Sequence, residues 1–254
     1  MTAVAALGRR ALSVQFRRTQ LLMPTFVLPL MLLAVISSGA GAARDLPGFP
    51  TTHSYLSFVV PGTLIQGALL AGLTSGQQLA SDIESGFFDR LLAAPVARTS
   101  LVLGRLAGTV GLGLLQTSFF LAIAFVFGAR YPGGPLAVLA VLVLAPLTAA
   151  GMGGIACAIA LRTGSMSLLQ SIFPFVFILL FTAPTFFPRD LLSPALHDVA
   201  AFNPLTYIVE AARGLLSDQG AQGPAWRGFA AAIGLLVATT SLSVFALAER
   251  LRRT

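Results

Sequence analysis

The sequence predicts an all-α fold: a polytopic membrane protein with six transmembrane helices, forming one transmembrane domain over residues 1–254. Three observations carry this. Hydrophobic residues make up 56% of the chain and charged residues only 10%, whereas soluble domains carry about a quarter charged residues. Six apolar stretches are each long enough to cross a bilayer, since about 20 helical residues traverse about 30 Å of hydrocarbon. Arginines concentrate in alternate loops between these stretches, as the charge rule for membrane topology requires.

The chain opens on a basic segment, 1–20. Val4, Leu7, Ala11 and Val14 follow helical spacing, with Arg10 and Arg17 on another face. That pattern fits a helix lying in the headgroup layer with its arginines toward anionic lipid. Leu12 and Phe16 break the face, and a disordered basic arm is the alternative. The spans follow at 21–43, 56–79, 101–128, 136–161, 167–187 and 227–248. Pro24, Pro29, Pro61, Pro146, Pro174 and Pro184 lie inside them. Within a membrane bundle, neighbouring helices satisfy the backbone groups that proline frees. A second reading of the first span is a signal peptide, with LLMPTFVLPLMLLAV as its apolar core, SSGAGAA as its cleavage region and FRRTQLL as a loose twin-arginine signal.

One set of loops holds eleven arginines (Arg9, Arg10, Arg17, Arg18, Arg90, Arg98, Arg105, Arg162, Arg250, Arg252 and Arg253), and the other holds five (Arg44, Arg130, Arg189, Arg213 and Arg227). Both termini and the 81–100 segment are therefore expected on the cytoplasmic side of the cell membrane, with 44–54, 130–135 and 188–226 outside. All basic side chains are arginine, 16 in number, with no lysine. A phosphate-binding loop needs a lysine, so this chain cannot hold a normal nucleotide-hydrolysing site. Cys157, the one cysteine, lies in an apolar run and reads as a packing residue. His53 and His197 fall in separate external loops, and no metal or hydrolytic motif is present.

Between the second and third spans the sequence reads SDIESGFFDRLLAAPVARTSLVLGR, residues 81–105. Ser81 followed by Glu84 has the spacing of a helix-starting capping box. Pro95 disfavours helical geometry at Ala94 and stops the helix. At 100° per residue, Ile83, Phe87, Phe88, Leu91 and Leu92 cover one half, while Asp82, Ser85, Gly86, Asp89 and Arg90 cover the other. A helix of about 18 Å cannot span a bilayer. It is expected to lie flat, burying one face and presenting the other to water or to a partner.

The wording of this segment resembles the signature of ABC-2 type transporter permeases, and most closely their daunorubicin-resistance group. Glu84, Gly86, Asp89, Arg90, Leu91, Leu92, Pro95, Arg98, Gly104 and Arg105 carry the likeness. Many relatives have Lys or a second acidic residue around 83–85 and Thr-Leu or Thr-Phe after the Gly, where this chain has Ile83, Ser85, Phe87 and Phe88. A second match lies in FFPRDLLSPALHDVAAFNPLTYIVEAARGLL, at Phe187, Pro188, Asn203, Pro204, Thr206, Tyr207, Glu210 and Arg213. The resemblance implies a permease without an ATPase, paired with a separate P-loop subunit that binds ATP and magnesium, and with a second copy of itself or a related permease. It implies that 81–95 is the coupling helix seated on that ATPase, with Asp82, Glu84, Gly86, Phe87, Asp89, Arg90, Leu91, Pro95 and Arg98 as the contact set. By the same analogy 188–220 forms short helices dipping back from the outside as a gate region.

Glu210 and Arg213 are three apart and so neighbours on a helix, where the pair would hold that element in place. Gln66, Gln77, Gln78, Gln116, Thr63 and Thr117 sit in or beside spans. Such residues face a bundle interior, where helix–helix hydrogen bonds are their first use; Thr63, Gln66 and Gln116, with Phe173, Phe177 and Phe181 of the aromatic fifth span, whose default is packing or lipid contact, are also candidates for a substrate path. Gly72 with Gly76, and Gly104 with Gly108, permit close helix approach. The expected function is export of a hydrophobic drug-like compound or secondary metabolite, with lipids and that small molecule as partners and no nucleic acid. Export of a lipid or lipid-linked polysaccharide, and a six-span intramembrane enzyme or assembly factor, are the alternatives.

Overall fold

The computed structural model describes residues 3–39, 55–94, 96–186, 189, 193–217 and 224–253. All regular structure among them is helical: α1 (Ala3–Arg17), α2 (Thr19–Gly39), α3 (Tyr55–Glu84), α4 (Phe87–Leu92), α5 (Arg98–Val126), α6 (Gly134–Thr163), α7 (Met166–Ser171), α8 (Phe173–Phe181), α9 (Pro194–Phe202), α10 (Pro204–Leu216) and α11 (Ala225–Arg253). Five of these, α2, α3, α5, α6 and α11, are long and apolar enough to cross a membrane.

The fifth apolar stretch differs from the continuous span expected over 167–187. It is split into α7 and α8 and ends at Phe181. The cause is Pro174, which has no N–H to donate and crowds the turn before it; Phe175 N instead bonds to Ile172 O in a tight turn. Ser165 caps α7, its Oγ accepting from Leu168 N.

α3 is the axis of the bundle. Buried residues make up 89% of its membrane-length window, against 17% for α2, which lies on the outside. Gly72 of α3 faces Met152 and Ala149 of α6, and Gly76 faces Ala156, with backbone atoms so close that no Cβ fits. That contact is the most extensive in the molecule, followed by α6 with α11. Cys157 is buried there beside Ser75, as a packing residue.

α1 is a helix rather than a disordered arm. Its apolar face is taken up by α5. Gly104 and Gly108 of α5 receive the Cβ atoms of Leu7 and Ala11, so the face packs on protein. Its outward side carries Arg9, Phe16 and Arg17. The prolines inside α2 are accommodated as a bundle allows. Pro29 cannot donate to the carbonyl of Thr25, and Gln116 Nε2 of α5 donates to that oxygen at 3.0 Å. Residues 40–43 of the candidate cleavage region, the loop with Arg44 and His53, and Pro95, Phe187 and Pro188 lie outside the described residues.

Candidate functional site

The segment between α3 and α5 is not one helix over 82–93. α3 continues unbroken through Ser81 to Glu84, so the capping-box residues end a helix instead of starting one. The chain turns at Gly86, whose φ of 68° is left-handed. Gly86 N bonds to Ile83 O and Ser85 N to Ser81 O, which closes the last carbonyls of α3 as a helix-ending glycine does. α4 then runs for 6 residues.

Two groups of side chains separate on this elbow. The anchors bind the rest of the bundle. Phe88 is buried against the core cluster, with Ile83, Leu91 and Leu92 packed on it. Asp82, expected on the water-facing half, is buried, and its Oδ2 accepts from Arg105 Nη2 of α5. Arg10 of α1 approaches the same oxygen at 3.9 Å and places its guanidinium 4.0 Å over the Phe87 ring. Arg18 Nη1 donates to Ser81 Oγ at 2.8 Å. Glu84 Oε1 accepts from Met166 N at 2.8 Å, which caps α7 from across the bundle. Asp82 therefore ties the elbow to α1 and α5, and Glu84 ties it to α7. The second group, Asp89, Arg90, Ala93 and Arg98, is exposed. Among the described residues its members hold no ion pair.

At the other end of the bundle, Asn203 and Pro204 start α10. Asn203 Oδ1 accepts from Leu205 N, and its Nδ2 donates to Leu179 O at 2.7 Å and to Thr182 Oγ1. Thr206 and Tyr207 donate back to the carbonyls of Ala200 and Ala201. Arg213 is buried and donates to three carbonyls, Pro184 O at 2.8 Å, Thr185 O at 3.0 Å and Phe58 O at 3.4 Å. Its guanidinium lies 3.9 Å over the Phe58 ring. It thus joins α10 to the start of α3 and to the chain after α8. Glu210, one turn earlier, is half-buried.

Comparison with known proteins fits this arrangement. The family model for the ABC-2 type transporter matches residues 2–216, through both the elbow and α10. The chain belongs to the ABC-2 type transporter family. It is 29% identical over 217 residues to the putative transport permease ycf38 of Porphyra purpurea, covering 85% of this chain and 74% of that one. A ycf38 permease of Pyropia yezoensis is 28% identical over 216 residues, covering 84% and 74%. The daunorubicin resistance ABC transporter permease protein DrrB1 of Streptomyces coeruleorubidus is 29% identical over 119 residues, covering 46% and 41%.

The polar residues of this ABC-2 permease fall into three kinds. Thr63, Thr117 and Thr148 donate to carbonyls four residues back on their own helices. Gln116 joins α5 to α2. Gln66 and Gln78 are buried in α3 with neither amide atom hydrogen-bonded among the described residues. Phe173, Phe177, Phe181 and Phe186 form a ladder, with successive rings 5.2, 6.3 and 5.4 Å apart. Of the six path candidates, Phe173 lines a cleft together with polar residues, Gln20, Thr25, Thr74, Gln77 and Gln170. His197 Nδ1 lies 3.6 Å from Asp198 Oδ1, and no cluster of metal-ligating side chains occurs among the described residues. Arg10 and Arg105 had no role in the contact set, because no local pattern links them to Asp82.

Proposed function

We propose that this chain is the membrane subunit of an exporter powered by a separate ATPase, and that the elbow over 81–95 is the docking element for that ATPase. The observation that carries the reading is the division of the elbow. Asp89, Arg90 and Arg98 are exposed, while Asp82, Glu84 and Phe88 bind α1, α5, α7 and the core. A force applied to the exposed face is passed to three helices through a buried ion pair and a helix cap. The absence of lysine supports placing ATP and magnesium on the partner.

On this reading α7 and α8 make the sixth crossing, both termini and the elbow are cytoplasmic, and α9 and α10 cap the outer side, locked by Arg213. Two permease copies, or two related permeases, assemble with the ATPase. The cargo is a hydrophobic small molecule, as the name of the daunorubicin resistance relative suggests. The reading is tested by assembling Asp89→Ala and Arg90→Ala with the ATPase and measuring complex recovery, hydrolysis and export. Both variants are expected to insert and fold normally and to lose recovery and export together. Normal export by both would remove the elbow's assigned role.

A further inference from the structure

A cavity of about 450 Å³ separates α2 from α5 at the end of the bundle opposite the elbow. Its walls are Leu30 to Ser37 on α2, Leu56 of α3, and Ile123 and Phe127 of α5. Nearer the elbow the same two helices are joined. Gln116 of α5 donates to Thr25 O, and the Phe26 ring meets those of Phe119 and Phe120 at 5.3 and 5.9 Å. Past Phe26 the cavity parts them.

The lining sets the chemistry of the occupant. Seven of the eight lining residues present only hydrocarbon, and the eighth, Ser37, donates to Ala34 O at 3.2 Å. No lining side chain is left to recognise an amide or a charge. From Leu30 to Ser37 the wall runs about 10 Å, at about 1.5 Å per residue. That is about two-thirds of one leaflet's hydrocarbon, itself half of about 30 Å. The opening is lateral: Ala34 and Phe127 of the lining are exposed, and only 17% of the membrane window of α2 is buried. A long apolar body reaching this opening along a lipid-facing helix is an acyl chain.

The mouth offers a place for a headgroup. Arg130 N donates to Ser57 Oγ at 3.2 Å, which brings the chain at Arg130 to the residue after Leu56. The Arg130 guanidinium lies 5.6 Å over the Phe125 ring, and Tyr131 lies against the same ring at 6.4 Å. Arg130 is exposed, and among the described residues no carboxylate pairs with it. Aromatic side chains gather where spans leave the hydrocarbon, and a guanidinium there matches a phosphate.

We infer that this cavity holds one acyl chain of a phospholipid from the leaflet opposite the elbow, with the phosphate at Arg130, and that the lipid fills the gap between α2 and α5. A second copy of this chain is the rival occupant, but the side chains that protrude from α2, Met23, Val27, Met31 and Val35, are not those that line the recess. The inference is independent of the ATPase and of the cargo.

Phe127→benzoylphenylalanine tests it, because the mass of the adduct identifies the occupant. The purified full chain in detergent is titrated with dioleoylphosphatidylglycerol, or with dioleoylglycerol, which has the same chains and no phosphate, and irradiated. The phospholipid is expected to form a saturable adduct, with half-saturation about three-fold lower than dioleoylglycerol, the scale of an exposed ion pair. Arg130→Gln should remove that advantage and leave dioleoylglycerol unchanged. Ala124→Phe, which fills the cavity from its wall, should lower both adducts at least about ten-fold. Ala34→Phe, at the exposed rim, supplies the same block if Ala124→Phe fails to fold. Adducts that rise linearly with lipid, equal titration by the two lipids, or labelling unmoved by the blocking variant would each overturn the inference. So would a link to a second copy or to residues 40–54 in place of lipid.

Discussion

Asp82, in the last turn of α3, accepts a hydrogen bond from Arg105 of α5 in a buried ion pair, with Arg10 of α1 as its third member. Three helices thus meet on one carboxylate at the base of the elbow. Removing one partner of a buried pair leaves the other charge uncompensated, at about 3–5 kcal/mol. Asp82→Ala and Arg105→Ala should each lower the thermal unfolding midpoint of the purified chain sharply. The double variant should lose less than the sum of the two, because neither orphan charge remains. Strict additivity in that cycle would show that the pair is not coupled.

Gly86 allows a different kind of test. A Cβ there meets nothing within 4 Å, so any penalty comes from its φ of 68° and not from a clash. Left-handed backbone costs about 1–2 kcal/mol for ordinary residues, and asparagine tolerates it better than β-branched residues. Gly86→Asn should retain most stability, Gly86→Val should lose about 1–2 kcal/mol, and Gly86→Pro should lose more because proline fixes φ near −65°. Thermal melts that rank these three by side-chain size would contradict the turn geometry.

Arg213 links α10, α3 and the residues after α8 through three carbonyls. Hydrogen bonds from a charged group contribute about 1.5–3 kcal/mol each. Arg213→Leu is expected to yield little monodisperse protein in size-exclusion chromatography, and Arg213→Lys an intermediate amount, because an ammonium lacks the planar fork. Full recovery of the leucine variant would show that the lock is dispensable.

Much of this molecule was legible in the sequence, and the losses share one cause. Apolar length located α2, α3, α5, α6 and α11 because a membrane helix needs little more than length and hydrophobicity. Asn203–Pro204 and Arg213 were found through a motif whose residues sit close together in sequence. The elbow was misread where local pattern and tertiary setting diverge. Ser81 and Glu84 have capping-box spacing, but α3 was already helical when it reached them, and the decisive signal was Gly86. Asp82 read as water-facing because its face of the helix is polar; Arg105, 23 residues on, supplies the countercharge. Pro174 broke the fifth apolar stretch, although membrane helices tolerate prolines elsewhere in the same chain.

Orientation is open to direct labelling. In a Cys157→Ser background, a cysteine at His197 of α9 should react with a membrane-impermeant maleimide added to intact cells. A cysteine at Arg90 should react only after the membrane is opened. The reverse pattern would invert the assignment drawn from the arginine count.

The central claim is that the exposed face of the elbow seats on an ATPase. The most direct measurement places photoreactive benzoylphenylalanine at Ala93, beside Asp89 and Arg90, with a control at Phe202 of α9, which is 90% exposed at the other end of the bundle. Cells are irradiated and the adducts are sequenced by mass spectrometry. Position 93 is expected to capture a protein whose peptides contain a Gly-x-x-x-x-Gly-Lys loop, and position 202 to capture none. Adducts at 93 without any P-loop protein, or the same P-loop protein at 202, would contradict the account.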